Sequence, residues 1–191
     1  LQNLTLYAGN YKIHYAIKAN SDFKINNIIS SYGLGADCVS GNEILHAIQC
    51  GYDSKDIVFA GVGKTDAEIT TAIEKNIGCL NVESLQEVEV INCIATAKRK
   101  HVNLAIRVNP NVDADTHQYI KTGIEENKFG ISPAHLFEIV DYISQSRNLC
   151  LTGLHFHIGS QITNFKNFEF LAKKVNHIYA ILNARDVKIK H

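Results

Sequence analysis

Short, β-branched apolar runs alternate with longer amphipathic stretches along almost the whole 191-residue chain. The runs from Lys12 to Ala19, Gly35 to Val39, Ile57 to Ala60, Cys79 to Val82, Val102 to Val108 and Leu151 to His157 predict strands. Between and after them, the stretches from Lys24 to Tyr32, Gly41 to Cys50, Asp66 to Asn76, Ser84 to Lys100, Pro133 to Gln145 and Lys166 to Asn183 predict helices. In the fourth of these, Leu85, Val88, Ile91, Ile94 and Ala95 recur at helical spacing and make one core-facing stripe. Three helix starts carry a capping-box pattern, with Ser40 before Glu43, Thr65 before Glu68 and Ser84 before Glu87.

Strand and helix in strict alternation imply βα units around a parallel sheet. No GxGxxG motif opens the first helix, so an α/β (β/α)8 TIM-type barrel is expected rather than an open doubly wound sheet. The pattern supplies six βα units and the start of a seventh strand near Val187. A full barrel takes about 250 residues, so residues 1–191 are expected to form a single, truncated barrel domain. The chain contains no methionine, even at its start, so it is expected to be a piece of a longer reading frame. The mixed polar stretch from Asn109 to Gly130 is expected to be a functional or interface loop, because structureless loops of that length are uncommon in compact domains.

Charge narrows the function classes. Nineteen basic and nineteen acidic residues leave no global field to attract nucleic acid or an anionic membrane, and Lys98-Arg99-Lys100 reads as a solvated helix end. No apolar segment approaches bilayer length, and Leu1-Gln2-Asn3 lacks signal-peptide features, so a cytoplasmic location is expected by default. The five cysteines, Cys38, Cys50, Cys79, Cys93 and Cys150, are scattered without CxxC spacing and are expected to be reduced core residues.

In parallel barrels the chemistry gathers at the C-terminal ends of the strands. Lys18 closes the first apolar run, in Tyr15-Ala16-Ile17-Lys18-Ala19-Asn20, and is expected in the interior. Burial there would lower its amine pKa and suit it to Schiff-base chemistry, whereas a snorkelling strand-end lysine is the plainer alternative. Asp37 interrupts the second run and Arg107 lies near the end of the fifth; the pair could be a structural ion pair as readily as a site. His155 and His157 close the sixth run on one face. His155 alone fits a packed core histidine. The His-Phe-His sequence lacks a helpfully spaced third ligand, so no metal is expected and a ring stacked on a flat cofactor competes better. Gly159-Ser160-Gln161 is either an ordinary turn or an anion-binding one.

Taken together, YAIKAN at 15–20, GADCVSGNE at 35–43, VFAGVGKT at 58–65, NVES at 81–84, RVNPNVDADTH at 107–117, TGIEENKFG at 122–130 and LHFHIGSQ at 154–161 resemble the barrel domain of the alanine-racemase-like, fold type III pyridoxal-phosphate decarboxylases. The resemblance implies that Lys18 holds pyridoxal 5'-phosphate, His157 stacks against its ring and Ser160 helps hold its phosphate, while Asp37 and Arg107 position the lysine and ring. It also implies a homodimer, a small amino-acid substrate, and a C-terminal β domain and later phosphate loop that lie beyond His191. NPNVDADTH and TGIEENKFG resemble the branch that decarboxylates meso-2,6-diaminopimelate to L-lysine, the last step of lysine biosynthesis. An arginine- or ornithine-type decarboxylase, a non-catalytic pyridoxal-phosphate carrier and a cofactor-free lysine aldolase are the alternatives. The piece alone is expected to be inactive.

Overall fold

The computed structural model describes residues 11–109, 129–159 and 162–189. Six strands, β1 (His14–Ala16), β2 (Gly35–Cys38), β3 (Ile57–Phe59), β4 (Cys79–Val82), β5 (Val102–Arg107) and β6 (Leu149–His155), form one sheet in the order β1-β2-β3-β4-β5-β6. Every pairing is parallel. A doubly wound sheet reverses its strand order at a switch point; this one never does, and it forms six consecutive staves of a (β/α)8 wall.

The helices are α1 (Phe23–Ser31), α2 (Gly41–Gln49), α3 (Asp66–Glu74), α4 (Leu85–Lys98), α5 (Leu136–Gln145) and α6 (Phe165–Asn183). A 3-10 turn at Pro133–His135 precedes α5. The stripe on α4 packs as its spacing predicts, with Val88, Ile91 and Ala95 fully buried and Leu85 and Ile94 partly buried against the same core.

Period-two alternation divides the sheet. Ala36, Cys38, Ile57, Phe59, Leu80, Val82, Leu104 and Ile106 are fully buried and share one hydrophobic cluster with the helices. Asp37, Asn81, Ala105 and Arg107 alternate with them and lie on the opposite face, which is the interior of the barrel wall. Leu104 pairs with Leu151 but Ala105 pairs with Gly153, so a bulge at Thr152 resets the register and sets Arg107 opposite His155.

The capping boxes differ in how they close. Thr65 and Glu68 satisfy each other reciprocally. Ser40 and Ser84 accept the amides of Glu43 and Glu87, yet those glutamates reach one residue further back, to the amides of Val39 and Glu83 at 2.7 and 2.8 Å. Glu68 also accepts the Gly41 amide at 2.9 Å, so one carboxylate caps α3 and α2 together.

Two expectations are corrected. Val187 to Ile189 form no strand; Val187 and Ile189 pack on the core at alternate positions without entering the ladder. All five cysteines are free thiols, but Cys93, on α4, and Cys150, the register partner of exposed Asn103 near the start of β6, are exposed; only Cys38 and Cys50 are fully buried. Residues 110–128, most of the expected loop, lie outside the described residues.

Candidate active site

The polar residues collect at the C-terminal rim of the sheet. β1 ends at Ala16, opposite Asp37, and the chain turns into a 3-10 helix, Ile17–Ala19, with Ile17 buried and Lys18 exposed. Lys18 is therefore not interior, as its apolar run suggests; the early end of the strand lifts it onto the rim. The turn after it is pinned. Asn26 is completely buried and donates from Nδ2 to the carbonyls of Asn20 and Asp22, both at 2.9 Å, while Tyr52 donates its hydroxyl to Asn26 Oδ1 at 3.2 Å. Asp22 caps α1 through the Ile25 amide at 3.0 Å.

Asp37 is half-buried, and burial is the main reason its carboxyl titrates above the ordinary range. Lys18 is the strongest charge opposing that rise, followed by His14; Glu43 adds to it and His157 weakly opposes it. Lys18, Asp37 and His157 thus share one electrostatic neighbourhood.

Arg107 belongs to a second cluster. Its Nη1 donates to Oε1 and Oε2 of Glu83 at 2.8 and 2.9 Å, and both side chains are buried. The ion pair that Asp37 and Arg107 could have formed is replaced by this one, because Glu83 directly follows β4, beside the last residue of β5. The Arg107 guanidinium also lies 5.7 Å from the Phe129 ring centre.

His155, the register partner of Arg107, is held neutral. Its pKa falls to about 4, chiefly through burial and then through the charges of Arg107, His157 and Lys64. His157 acts on both His155 and Asp37, so it links the two clusters. Ser160 lies outside the described residues, as does Gln161.

Two functional candidates escape the sequence reading. Glu83 lies within the quoted NVES segment without a role, although a carboxylate just after a buried strand signals a buried partner. Lys64 is the other. Its Nζ donates to the carbonyls of Gly61 and Asn81 at 2.8 and 2.7 Å and to Glu87 Oε1 at 2.6 Å, with 1% of its side chain exposed. A cavity of about 400 Å³ opens beside these residues, lined by Val62, Lys64, Asp66, Glu83, Glu87 and Phe129 among others.

Comparison with known proteins extends the picture. Residues 2–191 match the family described as pyridoxal-dependent decarboxylase, pyridoxal binding domain. Diaminopimelate decarboxylase of Bacteroides thetaiotaomicron is 48% identical over 181 residues, which are 95% of this chain and 47% of that protein. Among solved structures, diaminopimelate decarboxylase from Helicobacter pylori complexed with L-lysine superposes with a TM-score of 0.87 at 39% identity, over 96% of this chain and 47% of the other. Lysine/ornithine decarboxylase from Vibrio vulnificus, complexed with putrescine, superposes at 0.76 and 22% identity over 94% and 44%, a likeness of fold alone. The chain spans about half the length of the curated relatives it matches.

Proposed function

The chain belongs to the pyridoxal-dependent decarboxylases, and from that membership we propose that the complete protein converts meso-2,6-diaminopimelate to L-lysine and carbon dioxide. The observation that carries the substrate is the far higher identity to diaminopimelate decarboxylases than to the lysine/ornithine enzyme of the same fold. A cytoplasmic homodimer is part of the same proposal. Among the described residues no helix is long and apolar enough to cross a membrane, which agrees with that placement.

The residues fit the cofactor. An aldehyde requires an accessible primary amine, and Lys18 offers one at the strand rim. The Lys64 amine is enclosed by three acceptors and cannot. His14 and His155 each bury an Nδ1 atom that has no partner among the described residues, and both lie on the sheet face of Asp37 and Arg107, a polar lining suited to a polar ring.

Lys18 would carry pyridoxal phosphate covalently. Asp37 would orient the Lys18 amine and, with its pKa raised, hold a proton beside it more readily than an exposed aspartate does. His157 would offer a flat face for stacking. Arg107, fixed by Glu83, would supply a positive charge whose position does not drift during the reaction. Ser160 would bind phosphate from the Gly159 turn. When bound, pyridoxal phosphate supplies an electron sink for the pair released as the carboxylate leaves.

The test uses the full-length protein with pyridoxal phosphate, following carbon dioxide and L-lysine from meso-diaminopimelate beside arginine and ornithine. Release from diaminopimelate, lost in Lys18→Ala, is expected. Turnover of arginine or ornithine alone would overturn the substrate, and unchanged turnover by Lys18→Ala would overturn the role of Lys18.

A further inference from the structure

Lys64 closes a file of buried charges that runs along the rim from β3 to β5. Its three ammonium protons meet three acceptors contributed by different elements: Gly61 O after β3, Asn81 O in β4 and Glu87 Oε1 on α4. The other oxygen of Glu87 accepts the Glu83 amide at 2.8 Å. The Glu83 side chain then receives Arg107 Nη1 on both of its oxygens. Side-chain exposures along the file are 1% for Lys64, 12% for Glu87, 5% for Glu83 and 11% for Arg107, so solvent screens none of these contacts strongly. Two cations and two anions balance, and each link is either charge-assisted or anchored on a backbone amide.

We propose that Lys64 is a positioning residue for the cofactor end of the barrel, setting the placement of Arg107 through Glu87 and Glu83. The inference rests on the assignment of pyridoxal phosphate to this rim. Removing the ammonium leaves Glu87 without its counter-charge and two carbonyls without their donor. Glu87 then loses its fixed hold on the Glu83 amide, and Arg107 loses the fixed carboxylate that aims it. Lys64 itself need not touch the cofactor for this to matter, and its enclosure keeps it from doing so.

The experiment is a double-mutant cycle in the full-length protein. The forms are wild type, Lys64→Met with Glu87→Gln (which deletes both charges of the first link), Arg107→Met, and all three substitutions together. Each apo form is titrated with pyridoxal phosphate by absorbance, with Lys18→Ala as the control, and folding is checked by far-ultraviolet circular dichroism. Where the Lys64 variant fails to fold, Glu87→Asp, which keeps the charge but shortens the arm, replaces it in the cycle. The expected result is about tenfold weaker binding for the Lys64 or Glu87 form, within the range for coupled neighbours. With Arg107→Met already present, the same change should cost nothing further. Independent, multiplying losses, or wild-type affinity in the Lys64 form, would overturn the proposal while leaving Lys18 as the attachment site. A wild type that binds no better than Lys18→Ala would instead overturn the cofactor assignment, and this inference with it.

Discussion

Arg107 places a single nitrogen, Nη1, between both carboxylate oxygens of Glu83, and the pair is buried at the junction of β4 and β5. Both charges are largely shielded from solvent. Replacing one partner therefore costs far more than replacing both with apolar groups of similar volume.

Glu83→Gln should destabilise the fold by about 3 kcal/mol, because it strands the Arg107 guanidinium in a buried setting. Glu83→Leu combined with Arg107→Met should recover most of that loss. Urea unfolding of the three forms, with hydrogen exchange at the β5 amides to assign the effect locally, measures both. Equal destabilisation in the single and double variants would mean that the pair contributes by packing rather than by charge.

His155 gives the acid limb of stability a defined sign. Its folded pKa is about 4 against an ordinary value of 6.5, with burial first and then Arg107, His157 and Lys64 disfavouring the cation. Above pH 6.5 both states are neutral and the residue contributes nothing. As pH falls from 6.5 to 4 the unfolded chain takes a proton that the folded chain refuses, so stability declines by up to about 3 kcal/mol. His155→Gln should flatten that decline in a plot of thermal midpoint against pH. A midpoint that falls equally in both proteins between pH 6.5 and 4 would assign the limb to other groups.

The period of the apolar positions made the sheet and helices legible, because one face of every strand and helix had to be filled from the local sequence. The α4 stripe at Val88, Ile91 and Ala95 is the clearest case. The rim was less legible. Its residues are placed by where a strand ends, and Ala16 rather than Lys18 ends β1 because the turn is fixed by Asn26, from another element. Arg107 could be read as needing an anion, but choosing Glu83 over Asp37 required knowing which strand ends adjoin. Lys64 carries no such signal in the sequence, since two of its three acceptors are backbone carbonyls that no side-chain pattern reveals.

Glu68 holds two helix starts at once, accepting Gly41 N at 2.9 Å on Oε1 and Thr65 N at 3.0 Å on Oε2. Those backbone donors, Thr65 first and then Gly41, hold its carboxyl below the usual glutamate range. The stability it gives is present above the unfolded pKa and fades as pH falls through the lower folded one. Glu68→Ala should cost about 1–2 kcal/mol at neutral pH, the scale of a lost cap, and Glu68→Gln less. Denaturant midpoints at pH 7 that do not separate Glu68→Ala from wild type would show that water replaces both caps without loss.

Lys18 and Asp37 should separate stability from function. Lys18 is exposed, so Lys18→Ala should leave the unfolding free energy of the apo protein, read by urea denaturation, within about 0.5 kcal/mol of wild type. The same change should abolish borohydride fixation of pyridoxal phosphate to the peptide containing residue 18, read by mass spectrometry.

Asp37→Asn should act in the opposite direction on the fold. Burial raises the Asp37 pKa, with Lys18, His14 and His157 only partly opposing it and Glu43 adding to it, so the ionised carboxylate is a net strain on the folded state. An acid with a raised folded pKa imposes its full cost above that pKa, and the cost disappears once pH falls below the unfolded value of 3.8. The neutral amide should therefore raise the apo thermal midpoint at pH 7, and the advantage over wild type should shrink as the solution is acidified. Cofactor affinity should fall in the same variant, since an amide cannot hold the Lys18 amine by charge; a site that keeps such a carboxylate does so at the expense of stability. Paired scans of midpoint and pyridoxal phosphate affinity across pH test both halves. A variant that is less stable than wild type at pH 7 would mean that Asp37 is compensated by its neighbours after all, and that its presence on the inner face of β2 is structural.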